Sequence, residues 1–287
     1  MDLYNPKKLI ELCQKYRIIP SKKYGQNFLI SKKVVDEIIE KSDLKKTDTV
    51  VEVGPGFGVL TFAMAEKVKK VIAFEIEKKL EGYWEENKLE NVEIIWGNVL
   101  NKMEELILST GRQELKNYRV VANLPYQITS NLIRKFLEAK NPPSEMVLMV
   151  QKEVGERICA KPACPSVAGK RRRGQMSLLA VSVQYYSEPK ILFNVSRNKF
   201  FPSPKVDSVV IKLKIDKTEK NINDKDFFQV VKIGFASKRK MLIKNLKVLE
   251  KDKAKLENIF EKVGLDKKVR AQELSVEQWV ELTKLLV

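Results

Sequence analysis

The chain contains no histidine in 287 residues. Imidazole acid–base catalysis is therefore excluded, and so are the metal sites that depend on histidine ligands. Cysteine is scarce: Cys13, Cys159 and Cys164 are odd in number and unrelated in spacing, so neither a disulfide framework nor a zinc site is readable. No stretch approaches the roughly 20 uninterrupted apolar residues of a membrane span. The N-terminus, with Lys7, Lys8 and Glu11, also lacks the apolar run of a signal peptide. Together these absences predict a cytoplasmic, soluble protein without membrane association or bound metal, and with nothing to suggest more than a monomer. Acidic residues are in deficit, 37 against 54 Lys and Arg, for a formal net charge of +17. That imbalance predicts attraction to a polyanion, for which RNA, DNA and an anionic membrane surface all qualify.

Hydrophobic residues make up 44% of the chain, enough for one large α/β domain and a small second one. Apolar residues at helical spacing over 32–40 precede a β-branched run at 49–53 that ends at Gly54. The alternation continues with helices over 60–68, 78–86 and 130–139 and strands over 71–75, 92–96, 118–123 and 146–151. Strands alternating with helices predict a doubly wound, mostly parallel sheet. Two later strands, near 191–195 and 209–214, flank the proline-rich FFPSPKVDS and predict an antiparallel hairpin that closes the sheet. A charged linker near 217–224 then leads into a helical pattern with a stop at Gly264, so the expected domains are 1–216 and 217–287.

The 49–53 strand runs into VEVGPGFG, where Gly54, Gly56 and Gly58 permit a tight turn and close approach of a ligand to the backbone. Glu75 ends the next strand about twenty residues later, where a carboxylate can accept from both ribose hydroxyls of a nucleotide-like cofactor. A nicotinamide dinucleotide and S-adenosylmethionine both remain open at this point. Pro55 removes one backbone N–H that a pyrophosphate would use, and the GxGxxG register is missing.

The fourth strand ends in Asn123, Leu124, Pro125 and Tyr126. The N6 amine of adenine is a poor nucleophile because its lone pair is delocalised into the ring. Two acceptors, the Asn123 side-chain oxygen and the Leu124 carbonyl, can take its hydrogens and aim the lone pair at an electrophilic methyl. Pro125 stiffens the turn, and Tyr126 offers a face for a flipped-out base.

These motifs resemble those of the ribosomal RNA adenine N6-dimethyltransferase family, in particular its small-subunit, kasugamycin-resistance branch. The matching segments are KKYGQNFL (22–29), VEVGPGFG (51–58), FEIEKKL (74–80), NLPYQITS (123–130), QKEV (151–154), GQMSLLAVSVQYY (174–186), FFPSPKVDS (200–208) and GFASKRKMLIKNL (234–246). The resemblance implies a Rossmann-like S-adenosylmethionine methyltransferase sheet with an antiparallel last strand and a small helical C-terminal domain. It implies S-adenosylmethionine as the cofactor, and dimethylation of adenines in small-subunit ribosomal RNA within a precursor subunit as the reaction. Gln26, Asn27 and Leu29 then resemble a loop over the cofactor, Gly54 the turn beneath its methionine part, and Glu75 the ribose ligand. Asn123 and Leu124 resemble the residues that hold the target amine, and Tyr126 and Phe200 the two aromatics that sandwich the base.

The chain departs from the family pattern in two places. Asn98 stands where the family has Asp against the cofactor adenine; its amide oxygen can accept from the exocyclic amine without a charge. The loop over 161–173 carries Lys170, Arg171, Arg172 and Arg173, four adjacent cations expected to meet RNA phosphates. Enzymes that methylate large-subunit RNA share most of the motifs, but NLPY rather than NIPY, with QKEV and PKVDS, favours the small-subunit branch. A non-catalytic assembly factor would have no use for Gly54, Glu75, Asn123 and Tyr126 together.

Overall fold

The computed structural model describes residues 2–20, 26–108, 115, 117–162, 176–216, 218 and 221–287. The chain divides into two compact units, Met1–Gly155 with Pro189–Ile215, and Glu156–Glu188 with Asp216–Val287.

The first unit begins with α1 (Pro6–Lys15), whose N-cap Asn5 accepts from the Lys7 N–H. After β1 (Phe28–Leu29) and α2 (Lys32–Ser42), strands and helices alternate: β2 (Thr49–Val53), α3 (Val59–Ala65), β3 (Lys70–Glu75), α4 (Glu81–Glu86), β4 (Val92–Trp96), α5 (Val99–Leu108), β5 (Arg119–Asn123), α6 (Thr129–Leu137), β6 (Glu145–Gln151) and α7 (Lys152–Ile158). Following α8 (Leu178–Tyr186) come β7 (Ser187–Val195), β8 (Phe200–Phe201) and β9 (Ser208–Ile215). The seven-stranded sheet has the order β4-β3-β2-β5-β6-β9-β7. Pairing is parallel from β4 to β6 and antiparallel between β6 and β9. The central strands are apolar and buried along most of their length, as a sheet covered on both faces requires.

Chain order sets where a ligand can go. From β2 the chain proceeds outward through β3 and β4, then returns to the other side of β2 to lay down β5 and β6. The reversal leaves a crevice at the carboxyl ends of β2 and β5, where Gly54 and Asn123 lie. At the opposite end of the sheet Arg119 bridges Asp48 and Glu145, tying β5 to its neighbours.

The segment between β7 and β9 is more than the expected turn. Its Phe200 and Phe201 form an antiparallel ladder with Phe28 and Leu29, and the Ile30 N–H continues it to the Lys199 carbonyl at 2.9 Å. Two-residue strands carry no periodicity, which is why the pattern of the sequence does not announce them.

The second unit is helical, with α9 (Asp224–Gly234), α10 (Leu242–Leu246), α11 (Lys253–Lys262) and α12 (Val276–Leu286) joining α8. Its core gathers Tyr185, Phe227, Val231, Leu246, Phe260 and Trp279. Here the structure differs from the expected division at 216 and 217: α8 groups with the helical unit. The physical reason is its apolar surface. Ala180, Val181 and Tyr185 are buried in the helical core, the Tyr185 ring stacks on Phe227 at 4.0 Å, and its hydroxyl donates to Asp224. Gly234 lets Trp279 close against α9, since an added Cβ would fall 2.3 Å from its ring. Among the described residues no helix is long and apolar enough to cross a membrane.

Candidate active site

The crevice opens into a cavity whose walls enclose about 890 Å³ of empty space, its open mouth included. Its floor is the glycine turn after β2. Gly54 donates to the Phe74 carbonyl at 2.9 Å, which holds the turn against β3. Gly56 and Gly58 have φ of +57° and +85°, and a Cβ on Gly58 would strike Phe62 and Trp84 at 2.7 and 2.8 Å. From α4, Tyr83 donates to the Phe57 carbonyl at 2.8 Å and Trp84 to the Gly56 carbonyl at 3.1 Å. The turn's carbonyls are thereby satisfied from below while its upper face stays available to a ligand.

Two carboxylates line this cavity. Glu75, at the end of β3, is 4% exposed and accepts from the Gly56 N–H at 3.0 Å and the Glu77 N–H at 2.8 Å. Burial raises its pKa in spite of these donors. Glu52, in β2, is 2% exposed and accepts from the Thr61 hydroxyl at 2.6 Å. Burial, reinforced by the charge of Glu75 and opposed by the Thr61 hydrogen bond, pushes its carboxyl up to about 8. None of the described residues lining the cavity is Lys or Arg. A pyrophosphate would meet two carboxylates and no countercharge there, whereas a cofactor bearing a sulfonium and an ammonium finds the complementary potential. Ile76, 43% exposed, adds an apolar face beside Glu75.

The wall opposite is the Asn123–Tyr126 turn. The Asn123 Nδ2 donates to the Asn27 carbonyl at 3.3 Å, which leaves Oδ1 as the remaining hydrogen-bonding atom of the amide, an acceptor. The Leu124 N–H is tied to the Met149 carbonyl at 3.1 Å, and the Pro125 carbonyl accepts from Ile128 N and Thr129 Oγ1. Tyr126 lines the cavity half-buried, its hydroxyl 2.7 Å from Ser208 Oγ. Burial raises its phenol pKa, opposed by the hydrogen bond with Ser208.

Gln26, Asn27, Leu29, Gly54, Glu75, Asn123, Leu124 and Tyr126 thus come together around one cavity. Two expected members do not. Phe200 is 3% exposed and belongs to the core with Leu29, Val195 and Val210. The cause is the β1–β8 register: paired residues share a face, so Leu29 and Phe200 turn into that core while Phe28 and Phe201 turn into the cluster around α1 and α4. Asn98 is exposed and caps α5, its Oδ1 accepting from the Leu100 N–H at 3.0 Å, and it does not line the cavity. Lys170, Arg171, Arg172 and Arg173 lie outside the described residues. Sequence reasoning missed Glu52 and Phe28. An acidic residue inside an otherwise apolar strand, two positions before the first glycine, was the available signal for Glu52.

Comparison with known proteins follows the same line. The sequence profile of the family described as "Ribosomal RNA adenine dimethylase" matches residues 20–287. The "Ribosomal RNA small subunit methyltransferase A" of Bacillus mycoides (strain KBAB4) is 37% identical over 294 aligned residues, covering 100% of this chain and 98% of that protein. The like-named protein of Bacillus anthracis (strain CDC 684 / NRRL 3495) matches equally. Among solved structures, a dimethyladenosine transferase from Plasmodium falciparum superposes with a TM-score of 0.66 at 25% identity, covering 88% of this chain and 95% of that one. The 23S rRNA methyltransferase ErmE shares the fold, with a TM-score of 0.68 at 23% identity over 91% and 99% of the two chains.

The raised Glu52 carboxyl generates a pH prediction. Without ligand the native state holds a proton there that the unfolded chain releases near its ordinary pKa. This contribution to stability is full at low pH and is lost as pH rises toward about 8. A cationic cofactor favours the ionised form, so its affinity rises with pH, by up to about tenfold per unit, and levels off above 8. Titration calorimetry of S-adenosylmethionine between pH 6 and 9 measures this, and Glu52→Gln is expected to flatten the profile. An unchanged profile in that variant would assign the dependence elsewhere.

Proposed function

The chain belongs to the ribosomal RNA adenine dimethylase family, and on that premise we propose that its cavity carries out both methyl transfers to N6 of adjacent adenines in small-subunit ribosomal RNA. The protein is an S-adenosylmethionine-dependent RNA methyltransferase; we take its substrate to be the precursor small subunit, met in the cytoplasm by a single chain. The observation that carries the reading is the convergence of Glu75, Asn123, Leu124 and Tyr126 on one cavity.

When bound, S-adenosylmethionine supplies an electrophilic methyl on a sulfonium. Glu75 would hold the ribose hydroxyls, Glu52 and the Gly54 turn the methionine end, and Gln26, Asn27 and Leu29 the outer wall. The Asn123 Oδ1 and the Leu124 carbonyl would take the N6 hydrogens, which opposes delocalisation of the lone pair and aims it. Tyr126 would stack on the base drawn out of the RNA. With Phe200 in the core, Tyr126 is the aromatic that the target-side turn itself brings to the cavity. No side chain need act as base, since alkylated N6 is strongly acidic and can lose its proton to water.

The large-subunit reading is less favoured, because the full-length relatives from Bacillus carry the small-subunit name. A non-catalytic binder is disfavoured because it would have no use for Glu75, Asn123, Leu124 and Tyr126 converging on one cavity.

Lys170, Arg171, Arg172 and Arg173 are proposed to contact RNA phosphates. Replacing all four by Ala should weaken RNA binding and make its dependence on salt shallower, because fewer counterions are released; an unchanged slope would take them out of the interface.

Asn123→Ala tests the central step. It should nearly abolish both monomethyl and dimethyl adenine, read by mass spectrometry of digested small-subunit RNA, while S-adenosylmethionine affinity stays within about threefold of wild type. Full dimethylation by this variant would remove Asn123 from the chemistry.

A further inference from the structure

The hydroxyl pair between Tyr126 and Ser208 lies outside what methyl transfer itself requires. Ser208 opens β9, pairs with Gln151 of β6, and is wholly buried. Tyr126 follows β5, so the 2.7 Å bond reaches across β6 to the antiparallel strand on its far side. The peptide before Ser208 is pinned at both ends: the Asp207 carbonyl accepts from Lys152 N at 3.0 Å, and its carboxylate accepts from Arg197 N at 2.9 Å. On the other side, the turn that carries Tyr126 is fixed through Leu124 and Pro125. Both anchors are therefore rigid, and what remains free in Tyr126 is rotation about its two side-chain torsions.

We infer that Ser208 is a positioning residue, which anchors the Tyr126 hydroxyl and so sets the plane of the ring on which the target base stacks. The inference rests on the proposed stacking role of Tyr126. A ring held at its tip presents one face to the cavity; released, it samples other rotamers and the base loses its reference plane. The first transfer is less sensitive, because Asn123 and Leu124 can hold both N6 hydrogens. In the second transfer the new methyl occupies one of those places, and more of the alignment falls to the stack. Serine suits this position, because Ala would remove the anchor and the added methyl of Thr would overpack a site with no exposed surface.

A double-mutant cycle of Ser208→Ala and Tyr126→Phe tests this, since either change removes the bond while the ring remains. Single-turnover rates of both transfers, S-adenosylmethionine affinity and thermal stability are measured for each variant. Each single change is expected to slow the second transfer about three- to tenfold, to slow the first less, and to leave cofactor affinity unchanged. The double variant should be no slower than the worse single one. Two results would overturn the inference: effects that multiply in the double variant, or a lowered melting temperature with wild-type rates for both transfers. Tyr126→Ala separates the premise from the inference. If it leaves both transfers intact, stacking on Tyr126 fails and the inference with it; if it impairs transfer while the cycle is multiplicative, only the anchoring role fails.

Discussion

Glu52 and Glu75 sit out of water at the carboxyl ends of neighbouring parallel strands, close enough for the charge of one to oppose ionisation of the other. Burying two carboxylates in this way is costly, and the local structure is arranged around that cost. Thr61, at the first turn of α3, supplies a hydroxyl to Glu52, and the backbone N–H groups of Gly56 and Glu77 serve Glu75. The glycine turn must be tight for Gly56 to reach Glu75, and Tyr83 and Trp84 must satisfy its carbonyls from beneath. A cation in the cavity relieves what these bonds leave unbalanced. The carboxylate pair thus links the fold of the turn to the kind of cofactor the site accepts.

The target side is built by a different means. Nothing there is charged; the wall is made of one amide, one carbonyl and one ring, and precision comes from backbone tethers. The β1–β8 ladder brings Asn27 to Asn123, where its carbonyl accepts from the Asn123 amide and sets which way that amide faces. Hydrogen bonds from Leu124 to β6 and from Ile128 and Thr129 to Pro125 hold the turn. Such placement suits a weak nucleophile, for which orientation counts more than proton transfer.

Much of this was legible in the sequence, and the reasons are physical. The central strands announce themselves because a parallel sheet covered on both faces needs near-continuous apolar runs, as at Val71–Phe74 and, interrupted by Glu52, at Val50–Val53. Gly54, Glu75 and Asn123 could be named because each stands at a strand end, where doubly wound sheets bind ligands. What escaped depends on long-range pairing or on competition between uses of one side chain. Phe28–Leu29 and Phe200–Phe201 are too short to show a period, so the face to which Phe200 turns follows only from its partner. Asn98 was read as a contact to the cofactor adenine; its Oδ1 accepts from the Leu100 N–H at the start of α5, a local bond that the motif match does not report. The apolar Leu178–Tyr186 helix announced burial but not in which core.

Everything on the target side presupposes that the carboxylate-lined cavity holds S-adenosylmethionine. Calorimetric titration of the purified chain with S-adenosylmethionine, and separately with a nicotinamide dinucleotide, tests this most directly when repeated on Glu75→Ala. One S-adenosylmethionine should bind per chain, at least tenfold more weakly to the variant because a charged hydrogen bond to the ribose is lost, and the dinucleotide should not bind at all. Undiminished S-adenosylmethionine binding to Glu75→Ala, or tight binding of the dinucleotide in its place, would contradict that assignment.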